Sequence, residues 1–340
     1  KWTHNYMGSV QSTTADGNEH NGTATKQPTA VKSPYSPAVG AASTFLTDVP
    51  NPAAPQQGVH TYHFVGSLCS MKVRMMLAMK GIAYEGHHIV LPAYQQYEAE
   101  YVRLNPRCVV PTLVVDGKVT TDANNILDFI ERRWPGTDVL LTAAQLTDVH
   151  CQSTICDEMP IEALTYGANP DGDKRKAYVK KLTKGSHAHK EELLRAKMER
   201  HADDPALVDA YRGKLAIVSQ YKGIIDSPDE MRMLFAKASA DLKVLEAKLA
   251  SPSDYFQTHG FLCAERMTVA DVEWCIILCR LHDLCFLDKA MLATLPNVNA
   301  YMNKMIETPA FQQGVKAFIT PTFMIPNVLC PILKAKCCGS

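Results

Sequence analysis

The chain has 340 residues, 46% of them hydrophobic, and 35 Lys plus Arg against 35 Asp plus Glu, for a formal net charge of zero. That length and apolar content suffice for a substantial core and suggest two domains rather than one. A neutral chain has no long-range field to gather nucleic acid or an anionic membrane, so a charged ligand must be held by local groups.

Residues 1–57 are rich in Ser, Thr, Pro, Gly, Asn and Ala and lack hydrophobic periodicity, which reads as a disordered leader. Met7-Gly8-Ser9-Val10-Gln11-Ser12 fits an N-myristoylation pattern if Met7 is the start; the plainer reading is chance in a small-residue tail. Order is expected from Val59. A strand over 61–65 closes at Gly66, and a helix over 70–80 places Val73, Met76, Leu77 and Lys80 on one face, with Gly81 to end it. A second strand follows over 84–91, then a short helix over 97–104 stopped by Asn105-Pro106. Residues 112–115 and 118–120 flank Asp116-Gly117, a two-residue hairpin signal, and a helix over 122–133 ends before Pro135-Gly136. This β-α-β-α-β-β-α order is that of the thioredoxin fold, expected over 58–136. From 143 to 317 the chain reads as helices throughout. A strongly charged insertion over about 171–235 holds long, partly exposed helices, and periodicity returns over 230–249 and 268–284. The apolar stretch 318–333 is interrupted by Pro321, Pro326 and Pro331, so 318–340 reads as a tail rather than a membrane span, which takes about 20 clean residues.

The 11 cysteines show no repeated CxxC spacing, and Cys263, Cys275, Cys279, Cys285 and Cys330 lie in or near apolar stretches, where free cysteine acts as a small hydrophobe. That argues for a reducing, cytoplasmic compartment over a disulfide framework. No zinc spacing is present, His187-Ala-His189 reads as solvated helix surface, and no metal is expected.

The candidate chemistry gathers at Ser67-Leu68-Cys69-Ser70-Met71-Lys72, between the first strand and the first helix. A helix N-terminus carries positive potential and unpaired N–H groups, so a thiol there is expected to have its thiolate favoured and its pKa lowered. Ser67 can donate to that sulfur or to an external one. A dithiol motif needs a second cysteine at position 72; here it is lysine, so Cys69 can form a mixed disulfide only with another molecule. Val110–Pro111, just before a strand, is expected to be cis and to offer backbone groups to an extended peptide. Asp122 and Ala123 open the next helix, where free amides and a carboxylate suit the amino and carboxylate ends of a γ-glutamyl group. The plainer alternatives are a buried small residue at Cys69 and simple N-caps at Ser67 and Asp122.

SLCSMKVRMMLAMKGIAYE resembles zeta-class glutathione transferases (maleylacetoacetate isomerase) and the related tetrachlorohydroquinone reductive dehalogenases, which place a Ser and a Cys two residues apart here. Leu68, where the zeta pattern has a second Ser, favours the dehalogenase-like pattern. NPRCVVPTLVVDG resembles the family's cis-proline segment; Asp122-Ala123 stands where the family usually has Glu-Ser. Thr268-Val269-Ala270-Asp271 resembles the N-capping box of the transferase helical domain. DEMPIEALTYG over 157–167, the charged insertion and Arg280-Leu281 are similar to ganglioside-induced differentiation-associated proteins, transferase-fold proteins with a helical insertion.

The resemblance covers roughly 59–317 and implies a glutathione transferase fold, an α/β thioredoxin-like domain followed by an all-α domain. It implies glutathione as co-substrate along Val110, Pro111, Asp122 and Ala123, with Cys69 and Ser67 catalytic. A small hydrophobic electrophile would be lined by Met159, Tyr166 and Trp274. The expected reaction is thiolate attack or reductive dehalogenation. The alternatives are a maleylacetoacetate-isomerase-like cis-trans isomerisation and a non-catalytic regulatory or scaffold protein. A homodimer is implied. Cytosolic location is the default; the alternative is peripheral membrane attachment through lipid at Gly8 and at Cys337 or Cys338, beside Lys334 and Lys336.

Overall fold

The computed structural model describes residues 51–135, 140–252, 255–324 and 332. The myristoylation pattern at Gly8, the leader up to residue 50 and the terminal Cys337-Cys338 lie outside the described residues.

Strands β1 (Val59–His63), β2 (Glu85–His88), β3 (Thr112–Val115) and β4 (Lys118–Thr121) form one sheet in the order β2-β1-β3-β4. β1 is parallel to β2 and antiparallel to β3, which is antiparallel to β4. The β3–β4 turn forms as its residues dictate: Asp116 and Gly117 have φ of 49° and 80°, the positive pair a tight twisted hairpin needs. β2 is shorter than the expected 84–91, because Leu91–Ala93 is a 3₁₀ turn into which the fixed φ of Pro92 fits.

Helices α1 (Leu68–Met79) and α3 (Ala123–Arg133) cover one face of the sheet, and α2 (Ala99–Leu104) covers the other. Alternation along β3 sorts the two cores. Leu113 joins Val73, Met76, Ile126 and Ile130, while Val114 joins Tyr101, Leu104 and Val119. Residues 51–57, read from sequence as the end of the leader, are fastened to the hairpin together with Gly58. Asn51 N donates to Gly117 O at 2.9 Å, Gly58 N to Asp116 Oδ1 at 2.9 Å, and Asp116 N to Gly58 O at 3.0 Å.

The remainder is helical: α4 (Ala143–Glu158), α5 (Ile161–Tyr166), α6 (Ala177–Thr183), α7 (Ser186–Arg200), α8 (Pro205–Ile225), α9 (Pro228–Ala250), α10 (Tyr255–Thr258), α11 (Val269–Asp283), α12 (Lys289–Ala293), α13 (Pro296–Glu307), α14 (Pro309–Gly314) and α15 (Pro321–Met324). α11 is the central helix, buried at every residue from Ala270 to Leu278. Its start is fixed by Asp271, whose carboxylate accepts from Leu262 N (2.8 Å), Thr268 N (2.8 Å), the Thr268 hydroxyl (2.9 Å) and the Tyr301 hydroxyl (2.9 Å). Four donors offset the desolvation of that buried acid.

The charged insertion turns its polar residues outward but is not detached. Leu194, Leu207, Tyr211 and Val218 of α7 and α8 pack with Tyr97, Val102 and Cys108. The Tyr211 hydroxyl donates to Tyr97 O at 2.9 Å, and Lys197 Nζ meets Glu98 at 2.9 Å. The insertion therefore braces the α2 side of the thioredoxin-like part. Among the described residues, no helix is long and apolar enough to cross a membrane.

Candidate active site at the start of the first helix

Ser67 is the N-cap of α1, its Oγ accepting from Ser70 N at 3.3 Å. Accepting occupies a lone pair and leaves the hydroxyl hydrogen able to donate to a sulfur, so capping and chemistry are compatible here. Cys69 is the second residue of the helix and is half-buried. The turn is held from the helical side: Arg280 Nη2 of α11 donates to Gly66 O at 2.6 Å. The buried Arg74 of α1 ties the same turn down, donating to Phe64 O (3.1 Å), Val65 O (3.2 Å) and Gly314 O (2.9 Å).

The pKa of Cys69 runs against the helix-terminus expectation. Burial pushes the thiol up to about 11. Lys72 pulls it down, and the carboxylates of Asp122, Glu162 and Asp157 add to the rise. Without ligand, the thiol is held protonated at neutral pH. Burial and three acids outweigh one lysine and the helix N-terminus.

Lys72 is committed to Glu273 of α11 at 3.0 Å, both side chains buried, and the pairing holds its pKa above the usual lysine range. Glu273 Oε2 has no hydrogen-bond partner among the described residues. Asp157, near the end of α4, accepts from Asn124 Nδ2 at 2.7 Å. Burial, and then the charge of Glu273, raise its carboxyl to about 7. Burial also raises Glu162 of α5 and lowers Lys214 of α8, each partly offset by the other's charge.

Of the expected glutathione-binding segments, the start of α3 is near enough for Asp122 to act on Cys69, and Val110 packs in the cluster that holds Tyr62 and Phe64. Val110–Pro111 is cis. The preceding carbonyl of Val109 accepts from the Tyr101 hydroxyl (2.6 Å) and Asn105 Nδ2 (2.9 Å). Asp122, with a φ of 73°, caps α3 by accepting from Asn124 N (3.1 Å) and Asn125 N (3.4 Å). Its other oxygen binds Arg107 Nη1 at 2.8 Å. This leaves the N–H of Ala123, the first helical residue, as the amide in that turn suited to an anionic ligand group.

Residues 66–133 match the family model for the glutathione S-transferase N-terminal domain. That matched segment holds the Ser67–Cys69 turn, Val110–Pro111 and the start of α3. The chain is similar to a 2,5-dichlorohydroquinone reductive dechlorinase of Sphingobium indicum, 28% identical over 75% of this chain and 81% of that protein. It is also similar to human ganglioside-induced differentiation-associated protein 1-like 1, 23% identical over 82% of this chain and 81% of that protein. Among solved structures, a beta-etherase from Sphingobium sp. strain SYK-6 covers 77% of this chain and 100% of its own at a TM-score of 0.54 and 17% identity, a likeness of fold.

The expected substrate-lining residues separate. Trp274 is fully buried, its indole N–H donating to Gln152 Oε1 at 3.1 Å, and Met159 is 2% exposed. Both belong to the core, Trp274 on the enclosed helix α11 and Met159 at the end of α4, and neither presents appreciable surface to a substrate. Tyr166 remains accessible at the end of α5, its ring edge-on to His187 and under Lys190 Nζ at 4.3 Å. The residues that sequence reasoning gave no part in the site are Arg107, Asp157, Glu162, Lys214 and Glu273, while Arg280 was noted only for a family resemblance and not for its hold on the turn. Their one signal, charged residues inside segments otherwise apolar, is visible only at Glu273, in the run 272–278.

Proposed function

We propose that the chain is a glutathione S-transferase-type enzyme that acts on a small hydrophobic electrophile, with Ser67 and Cys69 handling sulfur. The observation that carries this reading is the Ser67–Cys69 turn itself. A hydroxyl donor and a thiol two residues apart open α1, within electrostatic reach of Asp122 at the α3 N-terminus and braced from the helical part by Arg280. The similarity to a reductive dechlorinase supports a dehalogenase-like reaction.

The steps balance as follows. The glutathione thiolate, held by the Ser67 hydroxyl and the α1 N-terminus, displaces halide from carbon and forms a thioether. The Cys69 thiolate then attacks the glutathione sulfur. The carbon–sulfur bond breaks, its electron pair goes to carbon, a proton completes the reduced product, and Cys69 carries glutathione as a mixed disulfide. A second glutathione resolves that disulfide to oxidised glutathione and free Cys69. In net terms one organic halide and two glutathiones give the reduced product, halide, a proton and glutathione disulfide. The high pKa of Cys69 fits a second-step nucleophile: it stays protonated while glutathione performs the first displacement. The same reading carries a cytoplasmic homodimer.

With a chlorinated hydroquinone as probe, Cys69→Ser should lower turnover by at least about a hundredfold, since no other group replaces a nucleophile, while retaining binding to immobilised glutathione. Turnover of the probe with a single equivalent of glutathione should leave one glutathione adduct, mapped to Cys69 by mass. An adduct mainly on other cysteines sinks this reading.

One observation favours a second reading, a non-catalytic transferase-fold protein. The Asp122 carboxylate is already taken by Arg107 and two helix amides. Failure of the intact chain to bind immobilised glutathione would select it.

A further inference from the structure

At the far end of β1 from Cys69, the sheet edge gathers a second chemical group that the reaction does not use. His60 of β1 pairs in register with Glu85 of β2, and Tyr62 with His87. Side chains two apart on a strand share a face, so His60, Glu85 and His87 converge on one side of the edge. His60 Nδ1 lies 3.1 Å from His87 Nε2, and the Glu85 carboxylate lies 3.6 Å from the first nitrogen and 3.7 Å from the second. One ligand atom from each residue falls within 4.8 Å of the others.

The tautomer of His60 is fixed. Its Nε2 lies 2.7 Å from Gln57 O, and a carbonyl only accepts, so Nε2 carries the proton and Nδ1 presents a lone pair to the cluster. The loop bearing Gln57 is held by the two Gly58–Asp116 hydrogen bonds described above. The His87 ring is oriented by stacking on Tyr62, with centroids 4.4 Å apart at 19°. A histidine ligand whose other nitrogen donates to a backbone carbonyl is how protein metal sites orient imidazole.

We propose that His60, Glu85 and His87 bind a first-row divalent transition-metal ion, Zn2+ or a similar borderline cation, through two imidazole nitrogens and one carboxylate oxygen. Metal–ligand distances of about 2.0–2.2 Å in a tetrahedron set ligand atoms about 3.3–3.6 Å apart. The two imidazole nitrogens are 3.1 Å apart, and Glu85 meets them through different oxygens, Oε2 at 3.6 Å from His60 and Oε1 at 3.7 Å from His87, so turning the exposed carboxylate brings one oxygen to the ion without moving either strand. The ion replaces the proton now shared between the two rings and ties β2, the edge strand, to β1. Three protein ligands leave a fourth position for water. Glu85 has two-thirds of its side chain exposed, so the site exchanges with solvent metal. Neither imidazole nor carboxylate selects soft ions over Zn2+, Ni2+ or Co2+.

Co2+ titration of the full-length chain tests this, because visible ligand-field bands report nitrogen and oxygen ligation and a near-ultraviolet charge-transfer band reports thiolate. The expected result is one equivalent bound without the thiolate band, and a melting temperature raised by saturating Zn2+. Glu85→Gln should weaken Co2+ by at least about tenfold and His87→Ala by about a hundredfold or more, taking the lower bound from the effect of outer-shell partners. Both side chains sit at the exposed edge, and matching circular dichroism of the metal-free variants establishes their fold. If only one variant folds, that one decides. Absence of binding, a thiolate band at one equivalent, or unchanged affinity in the folded variants overturns the proposal.

Discussion

Two sets of ion pairs in this molecule use the same residue types to opposite ends. Under the Cys69 turn, Lys72 and Glu273 are 201 residues apart in sequence, 3.0 Å apart in space and buried. On the insertion, Lys222–Asp226, Arg212–Asp209 and the Arg232 pairs join close neighbours or surface loops, in solvent. The exposed pairs keep α8 and α9 soluble, and water competes for each of their charges. The buried pair has lost that water, so each charge depends on the other. Charge costs little on the insertion's exposed face and much where it is buried, whether at the junction, as at Cys69, Asp157 and Glu162, or on the insertion's inner face, as at Lys214.

The largest test of this contrast is Lys72→Met. It strands the Glu273 carboxylate in the core, and chemical denaturation should show a loss of about 3–5 kcal/mol. The double variant Lys72→Met with Glu273→Leu should recover much of that loss, because no buried charge remains. A double variant as unstable as the single one would show that packing, not charge, sets the cost.

Asp157→Asn probes the junction more gently and with a pH signature. Burial and the charge of Glu273 push the folded carboxyl up to about 7 from the ordinary aspartate value of 3.8, so the folded state binds the proton more tightly than the unfolded one. Asp157 is therefore harmless to stability below about pH 4 and increasingly costly as pH rises to about 7, levelling off beyond. Asn keeps an acceptor for Asn124 and carries no charge. The stability of Asp157→Asn relative to wild type should rise between pH 4 and 7 by roughly 2–4 kcal/mol. Buried histidines tilt the wild-type curve the other way. His63 and His187 are held down to about 2 and about 3 chiefly by burial, so they cost nothing above about pH 6.5 and oppose folding increasingly as pH falls below it. The difference between variant and wild type cancels that background. A flat difference would mean that Asp157 ionises freely at the junction.

The smallest expected effect lies on the insertion. Lys222→Ala removes one exposed partner of Asp226 four residues away, and thermal melting should be indistinguishable from wild type. A clear drop would mean that the insertion's surface charges act as a network, and the contrast drawn here would fail.

Much of the first domain was legible in the residues because its signals are local. Asp116-Gly117 demands its hairpin, Pro106 and Gly81 end their helices, and Ser67 and Asp122 cap the helices they precede. Val110–Pro111 was legible from its place before a strand. The substrate side was not. Met159 and Trp274 are good lining candidates by residue type, and enclosure by neighbouring helices is what removes them to the core.

The sequence by itself determined the order of strands and helices, the two-part organisation and the position of Cys69 at a helix start, since each depends on periodicity, turn chemistry and caps within a few residues. Only the tertiary structure decided what that position is worth. The Cys69 thiol is raised rather than lowered because burial exceeds the help of Lys72, and Asp122, Glu162 and Asp157 add to the rise from three other helical segments. It also decided that His60 meets Glu85 and His87, since a parallel strand pair joined by a helix brings together residues whose spacing matches no metal motif. Electrostatic energy and coordination depend on distance in space and on water excluded, and neither is written in neighbouring letters.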